Sequence, residues 1–356
     1  MFHQLTVSQI RRETANAVSL VFDIPQALAL RFAFTPGQYL TLEATIHGER
    51  LRRPYSICSG LDDGEIRVAV KEVAGGRFSS FINRTLQLGD VLGVMEPKGR
   101  FGVASVPKSG RIILGVVAGS GITPIFSIAR TVLAREPHSQ FLLVCGNRQR
   151  KDVILGAQIE RLRRVYSPRL IVHHVFSREY SELEKFRGRI DGYKLAAILN
   201  DAGVPASIID HALLCGPPDM MVQQSAALQT MGLAPDRILA ETFSVAADTK
   251  LETNDLSPEE NATTRRVDIR LGGRSTSIDV RSGETIANAA RRSGVDVPYS
   301  CGAGTCCSCV AKIVAGSVEA APATTLETWE REAGLVLTCQ SRPTSDGLVV
   351  DYDTAF

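Results

Sequence analysis

Four cysteines near the end of the chain have the types and spacing for one kind of chemistry. Cys301, Cys306 and Cys309 stand in the pattern C-x4-C-x2-C, and Cys339 follows well downstream. Three thiolates from one tight loop and a fourth from a distant segment are what a 2Fe–2S cluster requires, and this is the spacing of such a site. Glycines at 302 and 304 let the loop wrap sulfur without Cβ clashes. The cluster carries one electron at a time. Cys307 lies inside the motif, but the spacing leaves it out of the ligand set, so its side chain is expected to point away. Cys58, Cys145 and Cys215 are scattered and are expected to be thiols in a reducing compartment.

An electron carrier needs a source, and two earlier segments could supply one. Arg53, Tyr55 and Ser56 combine a planar cationic fork for phosphate, a ring that stacks on a flat cofactor, and a hydroxyl for a ring nitrogen. Val70, Lys71, Gly75, Gly76 and Ser79 then supply a backbone that can approach closely and a helix start suited to a pyrophosphate. A strand edge and a hairpin turn would account for either segment alone. Their combination with the next motif favours a cofactor site.

That motif follows the apolar run from Arg111 to Ala118. Gly119, Gly121, Thr123 and Pro124 form G-x-G-x-x-P, a glycine turn between a strand and a helix of the kind that holds a dinucleotide pyrophosphate. The second strand ends at Gly146, where an NAD site usually has an acid for the ribose 2′-hydroxyl. Here Arg148 and Arg150 follow instead, and Ser177 and Arg178 follow the next strand. Both fit a 2′-phosphate, so NADPH is expected over NADH. Cys215 ends a further strand, where ligands gather in open α/β sheets, although a buried Cys is more often a small core residue. Glu241 and Phe243 close this region.

Three kinds of element must position these groups. Residues 1–106 read as short alternating strands separated by turn signals such as Pro36-Gly37, Asp63-Gly64 and Gly89-Asp90, which points to an antiparallel barrel or sandwich. Residues 107–244 alternate strand and helix, as in a Rossmann-like parallel sheet. Residues 245–266 are polar, contain a proline and lack periodicity, so they read as a linker. Residues 267–356 form the last unit: a hairpin turning at Gly272-Gly273, a helix stopped by Gly294, the cysteine loop and a strand from Val310.

Composition excludes several classes. The chain has 356 residues and a formal net charge of +2. Residues 1–244 carry 29 basic and 22 acidic side chains, whereas residues 267–356 carry 8 and 11. Solvated faces explain most of this asymmetry, with electrostatic docking of the acidic unit on the basic one as the weaker reading. No basic run with interleaved aromatics suggests nucleic acid. The uncharged stretch from Ile112 to Ala129 is about long enough for a membrane span, but it holds three glycines and a proline and splits into strand, turn and helix. The N-terminus lacks the layout of a signal peptide. A cytoplasmic location is expected, without membrane association.

The order Arg53-x-Tyr55-Ser56, Gly76-x-x-Ser79, Gly119-x-Gly121-x-x-Pro124, Cys215-Gly-Pro-Pro and Glu241-x-Phe243 resembles the ferredoxin–NADP reductase superfamily, and the C-terminal unit resembles a plant-type ferredoxin. With Phe2-His-x-Leu-Thr-Val, Glu49-x-Leu51-Arg-Arg-x-Tyr-Ser-Ile-Cys58, Gly75-Gly-Arg-Phe-Ser79, Phe186-x-Gly188-Arg-Ile-Asp191-Gly and Val349-Val-Asp-Tyr-Asp353, the sequence is similar along nearly its whole length to the family of reductases that serve ring-1,2-phenylacetyl-CoA epoxidases. The resemblance implies a multidomain α+β and α/β chain: an FAD-binding antiparallel β-barrel, a Rossmann-like nucleotide domain and a β-grasp 2Fe–2S domain. It implies FAD, a 2Fe–2S cluster and NADPH as cofactors, with electrons passed to a diiron oxygenase component acting on an acyl-CoA. Arg53 would bind FAD phosphates, Tyr55 would stack on the flavin, and Ser56 would lie near its N5. Gly75, Gly76 and Ser79 would cradle the pyrophosphate. Gly119, Gly121, Thr123 and Pro124 would line the nucleotide site, and Ser56, Cys215 and Glu241 would form the hydride-transfer cluster. Phe243 would cover the flavin, although here a further domain follows it. A reductase for a ring-hydroxylating dioxygenase or steroid hydroxylase, and a redox-sensing iron–sulfur module, are the alternatives.

Overall fold

The computed structural model describes residues 2–107, 110–243, 264–320, 325, 326 and 328–354. The chain forms two compact units, the first carrying two sheets and the second a five-stranded sheet with a small two-stranded one. Most of the expected linker, residues 245–263, lies outside the described residues.

The first sheet contains β1 (Phe2–Thr14), β2 (Ala17–Phe22), β3 (Tyr39–Ile46), β4 (Glu49–Ser56), β5 (Arg67–Lys71) and β6 (Val91–Met95), with helix α1 (Arg77–Arg84) between β5 and β6. Its order is β4-β3-β6-β1-β2-β5. An antiparallel bridge from Ile57 to Val68 joins the end of β4 back to β5, closing the sheet into the expected barrel. Alternating residues fill it. Leu5, Val7, Leu20, Leu40, Leu42, Val68 and Val94 are all essentially inaccessible to solvent. Each such side chain contributes about 1.5–3 kcal/mol of burial free energy, which fixes strand register and with it the position of Ser56 at the end of β4.

The second sheet is parallel: β7 (Ile112–Ala118), β8 (Gln140–Asn147), β9 (Leu170–Phe176), β10 (His211–Gly216) and β11 (Ile238–Thr242), in the order β11-β10-β7-β8-β9. Helices α2 (Ile122–Arg135), α3 (Gly156–Val165), α4 (Gly192–Asp201) and α5 (Pro218–Thr230) cross over between strands. One apolar cluster joins α2 and α3 to the sheet and a second joins α4 and α5, so both faces are covered. That cover explains why β7 is a continuous apolar run, not an alternating one. The strand order reverses between β7 and β10, which puts a ligand crevice beyond their C-terminal ends. Barrel and sheet are fastened together: Ser127 on α2 donates to the Ser59 carbonyl at 2.6 Å, Arg135 pairs with Asp62 at 2.7 Å, and Arg130 pairs with Asp63.

The second unit contains β12 (Arg265–Leu271), β13 (Arg274–Val280), α6 (Ile286–Arg292), β14 (Val310–Ala315), β15 (Val318–Ala320), α7 (Thr328–Glu332), β16 (Leu335–Leu337), β17 (Ser341–Pro343) and β18 (Leu348–Asp351). The main sheet runs β13-β12-β18-β14-β16. Gly272 and Gly273, both at positive φ, make the two-residue turn of the β12–β13 hairpin, as their spacing predicts. Helix α6 packs Ile286, Ala289 and Ala290 onto this sheet. Among the described residues no helix is long and apolar enough to cross a membrane.

Candidate functional site

The four expected cluster ligands are brought together as two pairs. Cys301, Cys309 and Cys339 are buried and Cys306 is half-buried. The Cys301 and Cys306 thiols interact directly, as do those of Cys309 and Cys339. Among the described residues no three ligating side chains gather around one metal-sized point. Four cysteine thiols in two facing pairs are a donor set that a 2Fe–2S centre can use. The donor set also fits the group's charge. The amides of Ala303 and Thr305 donate to Cys301 Sγ, each at 3.4 Å. The Cys306 contact first, with these donors, pulls the Cys301 thiol below its ordinary value against the opposing effect of burial. Gly302 and Gly304, at φ +68° and +76°, let the loop turn its amides inward.

Cys307 faces elsewhere. It adopts φ +54°, and its thiol donates to the Thr325 carbonyl at 3.7 Å. The Thr325 hydroxyl returns a 2.7 Å bond to the Gly304 carbonyl, so Cys307 helps fasten the loop from outside. Cys307→Ala is therefore expected to leave iron and sulfide per chain unchanged. Loss of the cluster in that variant would overturn the four-ligand assignment.

In the first unit, Tyr55 lies beside Phe78 of α1, with ring centroids 6.0 Å apart. Arg53 donates from Nη1 to the Arg52 carbonyl at 2.7 Å. The stretch after β5 is tightly wound. Ser79 Oγ accepts from the Val73 amide at 3.2 Å and donates to the Gly76 carbonyl at 3.1 Å. A Cβ on Gly76 would stand 2.5 Å from Ser79 Oγ. No side chain caps the start of α1, so its first amides stay available for phosphate oxygens. The Ser79 hydroxyl thus shapes the turn that is expected to cradle the pyrophosphate.

The glycine turn after β7 holds Gly119 at φ +57°, and Thr123 Oγ1 donates to the Ser120 carbonyl at 2.9 Å. Lys71 reaches this turn from the barrel: its Nζ is 3.6 Å from where a Gly119 Cβ would be. Burial, then the charge of Arg148, lowers the Lys71 ammonium, and Asp152 opposes them. The sequence neighbours of Lys71 point it to the flavin site. Its side chain stands against the nucleotide turn, with Arg148 near enough to be felt.

Cys215 links Gly121 on one side to Glu241 on the other. The parallel register pairs Cys215 with Glu241 across β10 and β11, and with Val117 on β7. A Cβ on Gly121 would stand 3.2 Å from Cys215 Sγ and inside the contact distance of its carbonyl oxygen. Glu241 as a whole is half-buried, but its Oε2 is sealed from solvent and has no hydrogen-bond partner. The sealed atom governs its ionisation, and burial pushes the carboxyl up to about 8. The Cys215 thiol is raised by burial first and by Glu241 second. At neutral pH both are uncharged, and an orphaned polar atom next to a sulfur at a sheet switch point fits a site that receives a polar ring. Ser56 is buried at the end of β4. Phe243 follows β11 and is 39% exposed.

At the other edge of the crevice the Ser177 amide donates to the Asn147 carbonyl and the Arg178 amide to the Arg148 carbonyl, each at 2.9 Å. Arg148, Ser177 and Arg178 are thereby brought to adjacent strand ends. Sequence reasoning missed Glu179, whose carboxylate accepts from the Arg150 amide at 2.7 Å and shapes this turn.

Three family models match the chain: an oxidoreductase FAD-binding domain over residues 4–102, an oxidoreductase NAD-binding domain over 116–225, and a 2Fe-2S iron-sulfur cluster binding domain over 269–344. The chain is 38% identical to a component of the 1,2-phenylacetyl-CoA epoxidase of Escherichia coli K12, over 99% of this chain and 98% of that one. It is 34% identical to the ferredoxin reductase component of the 3-ketosteroid-9-alpha-monooxygenase of Rhodococcus rhodochrous, over 98% and 96%. Among solved structures, phthalate dioxygenase reductase, described as a modular structure for electron transfer from pyridine nucleotides to a 2Fe–2S centre, matches at a TM-score of 0.59 with 22% identity, covering 98% of each chain. This chain binds FAD, a nicotinamide nucleotide and a 2Fe–2S cluster, and it belongs to the ferredoxin–NADP reductase superfamily, among the oxidoreductases that carry a C-terminal plant-type 2Fe–2S domain.

Proposed function

We propose that the chain is the reductase component of a diiron oxygenase acting on an acyl-CoA, with phenylacetyl-CoA the favoured substrate, and that it draws its electrons from NADPH in the cytoplasm. The observation that carries this reading is the end-to-end 38% identity with the E. coli epoxidase component. FAD supplies the conversion of a two-electron hydride into single electrons that a 2Fe–2S centre can take. The protein's part is to hold, orient and insulate these groups. Residues 1–106, 107–244 and 267–356 each hold one of them. Tyr55 presents its ring to the flavin and Arg53 its guanidinium to the FAD phosphates. The start of α1, shaped by Gly75, Gly76 and Ser79 next to Val70, takes the pyrophosphate. Gly119, Gly121, Thr123 and Pro124 admit the nicotinamide nucleotide close to the β7 end, with Lys71 as a phosphate partner. Ser56, Cys215 and Glu241 bound the place where nicotinamide and flavin meet. Glu241 keeps a proton there at neutral pH and so adds no negative charge that would oppose arrival of the hydride at the flavin. Phe243 lies against the flavin, and the pairs Cys301/Cys306 and Cys309/Cys339 each take one iron.

NADPH-dependent consumption of phenylacetyl-CoA on reconstitution with the epoxidase's oxygenase components tests the reading. The 34% identity to the steroid monooxygenase component favours, as a second reading, a steroid monooxygenase partner. Consumption of a 3-ketosteroid with that oxygenase, and none of phenylacetyl-CoA with the first, would select it. Steady NADPH-driven reduction of ferricyanide excludes a purely sensing role.

The cofactor preference has its own test. Arg178→Ala and Arg148→Ala each remove a cation from the expected 2′-phosphate site. A hydrogen bond to a charged group contributes about 1.5–3 kcal/mol, so each change should raise the KM for NADPH roughly 10- to 100-fold. The KM for NADH should stay within about twofold. Equal effects on both nucleotides would remove the basis for preferring NADPH.

A further inference from the structure

We propose that Gln340 is a positioning residue for the cluster. Its amide locks the loop carrying Cys301 and Cys306 to the segment carrying Cys339, and the N–H that it shares between the Cys339 carbonyl and the Cys339 sulfur makes the bound cluster easier to reduce. The inference rests on the reading of these cysteines as ligands and adds a residue that the spacing motif does not contain.

The side-chain Nε2 of Gln340 lies 3.0 Å from the Gly302 carbonyl oxygen, 2.9 Å from the Cys339 carbonyl oxygen and 3.7 Å from Cys339 Sγ. Two carbonyl oxygens at that range settle which end of the amide points inward, because the amide oxygen would face two acceptors there. Gly302 lies between Cys301 and Cys306, so one NH2 group spans both cysteine pairs. The stem of the side chain fits because Gly304 has no Cβ, which would stand 2.9 Å from Gln340 Cγ. The backbone around it is fixed. The Gln340 amide donates to the Leu337 carbonyl at 2.8 Å, and buried Ser341 donates from its hydroxyl to the same oxygen at 2.9 Å. The donor is therefore held in place by its surroundings rather than free to rotate toward water.

The electrostatic consequence has a definite sign. An added electron increases negative charge on the ligand sulfurs, and an N–H aimed at one of them stabilises the more negative state more than the less negative one. The amides of Ala303 and Thr305 do the same for Cys301 but belong to the backbone. Gln340 provides such a donor from a side chain, which substitution can remove.

The test uses the full-length holoprotein. Gln340→Met keeps length and bulk without the donor, and Gln340→Asn keeps the amide one methylene short. Iron and acid-labile sulfide per chain establish occupancy. A dye-coupled spectroelectrochemical titration gives the reduction midpoint, and the EPR spectrum of the reduced cluster reports its ligand environment. The expected result for Gln340→Met is wild-type iron content, a reduction equilibrium about tenfold less favourable, which is about 59 mV for one electron, a shifted EPR spectrum, and faster loss of visible absorption to a chelator. Gln340→Asn should fall between Met and wild type. A wild-type midpoint and spectrum in a fully loaded Gln340→Met protein overturn the proposal. If that variant holds no cluster while wild type does, the lock is supported, and a wild-type midpoint in loaded Gln340→Asn then overturns the electrostatic part. Absence of iron and sulfide from wild type itself would instead count against the cysteine assignment.

Discussion

Gly121→Ala is expected to cut the rate of flavin reduction by NADPH by about a hundredfold while leaving FAD and iron content unchanged. The reason is space and not backbone freedom, because Gly121 has an ordinary φ of −60°. The new Cβ would meet the Cys215 carbonyl, whose carbon is 2.6 Å away. Cys215 cannot recede: β10 is hydrogen-bonded to β7 on one side and to β11 on the other. The turn itself must move outward, and misplacing a reacting group by about 1 Å can cost on the order of a hundredfold in rate. Gly119→Ala is the control. Gly119 needs its positive φ of +57°, but the nearest atom to its Cβ position, Lys71 Nζ, is 3.6 Å away. A residue held in left-handed conformation costs about 1–2 kcal/mol, so that variant should lose stability more than rate. Stopped-flow bleaching of the flavin separates the two. A Gly121→Ala rate within about twofold of wild type would mean that β10 yields after all.

Glu241→Gln is expected to stabilise the protein at alkaline pH and to remove a pH dependence. In the folded chain the carboxyl holds its proton up to about pH 8, against an ordinary value of 4.5. Below 4.5 both folded and unfolded chains are protonated, and this group's contribution to stability is fully present. As pH rises toward 8 the unfolded chain releases the proton and the folded one does not, so stability is progressively lost. The loss amounts to on the order of 5 kcal/mol at the upper end of the window. The amide has the same shape and cannot ionise. The thermal midpoint of Glu241→Gln should therefore rise above that of wild type between pH 5 and pH 8.5, with a gap that widens as pH increases. Hydride transfer should follow the same logic. The wild-type rate is expected to decline above about pH 8 as a charge appears beside Cys215, whereas the Gln variant stays flat. A constant gap in midpoint across the window would show that the carboxyl has another partner in solution.

Much of this was legible because local signals and global packing agree. The glycine turn after Ala118, the hairpin at Gly272 and Gly273, and the cysteine spacing each demand a backbone shape that few sequences satisfy. The apolar alternation of β1 through β5 specifies a barrel because a one-residue slip would turn Leu5 and Val7 to water. What was not legible lies in side-chain direction. Lys71 reads as part of the flavin segment because its neighbours do, yet it ends a strand whose last side chain leans toward the next domain. Ser79 bonds the Val73 amide and the Gly76 carbonyl through its hydroxyl, a detail its spacing does not carry. Gln340 follows a ligand directly and bears no mark in the spacing rule, since its role depends on Gly302 and Gly304, far earlier in the chain, leaving room for it. The pairing of Cys215 with Glu241 needed the register of two parallel strands, which no short pattern encodes.

The position of β18 in the second unit has a consequence for biogenesis. This strand comes last in sequence among the described strands, yet it sits in the middle of its sheet, between β12 and β14. Val267 and Ile269 on β12 have Leu348 and Val350 as their parallel partners. During synthesis those partners emerge from the ribosome only after Cys339 has appeared. The barrel and the nucleotide sheet can close on sequence already made, but the β-grasp sheet must wait for contacts between segments about 80 residues apart. All four thiols are thus synthesised before the strand that completes the sheet beneath them, and a chain interrupted after Cys339 would keep every ligand and lose the scaffold that holds them in two pairs.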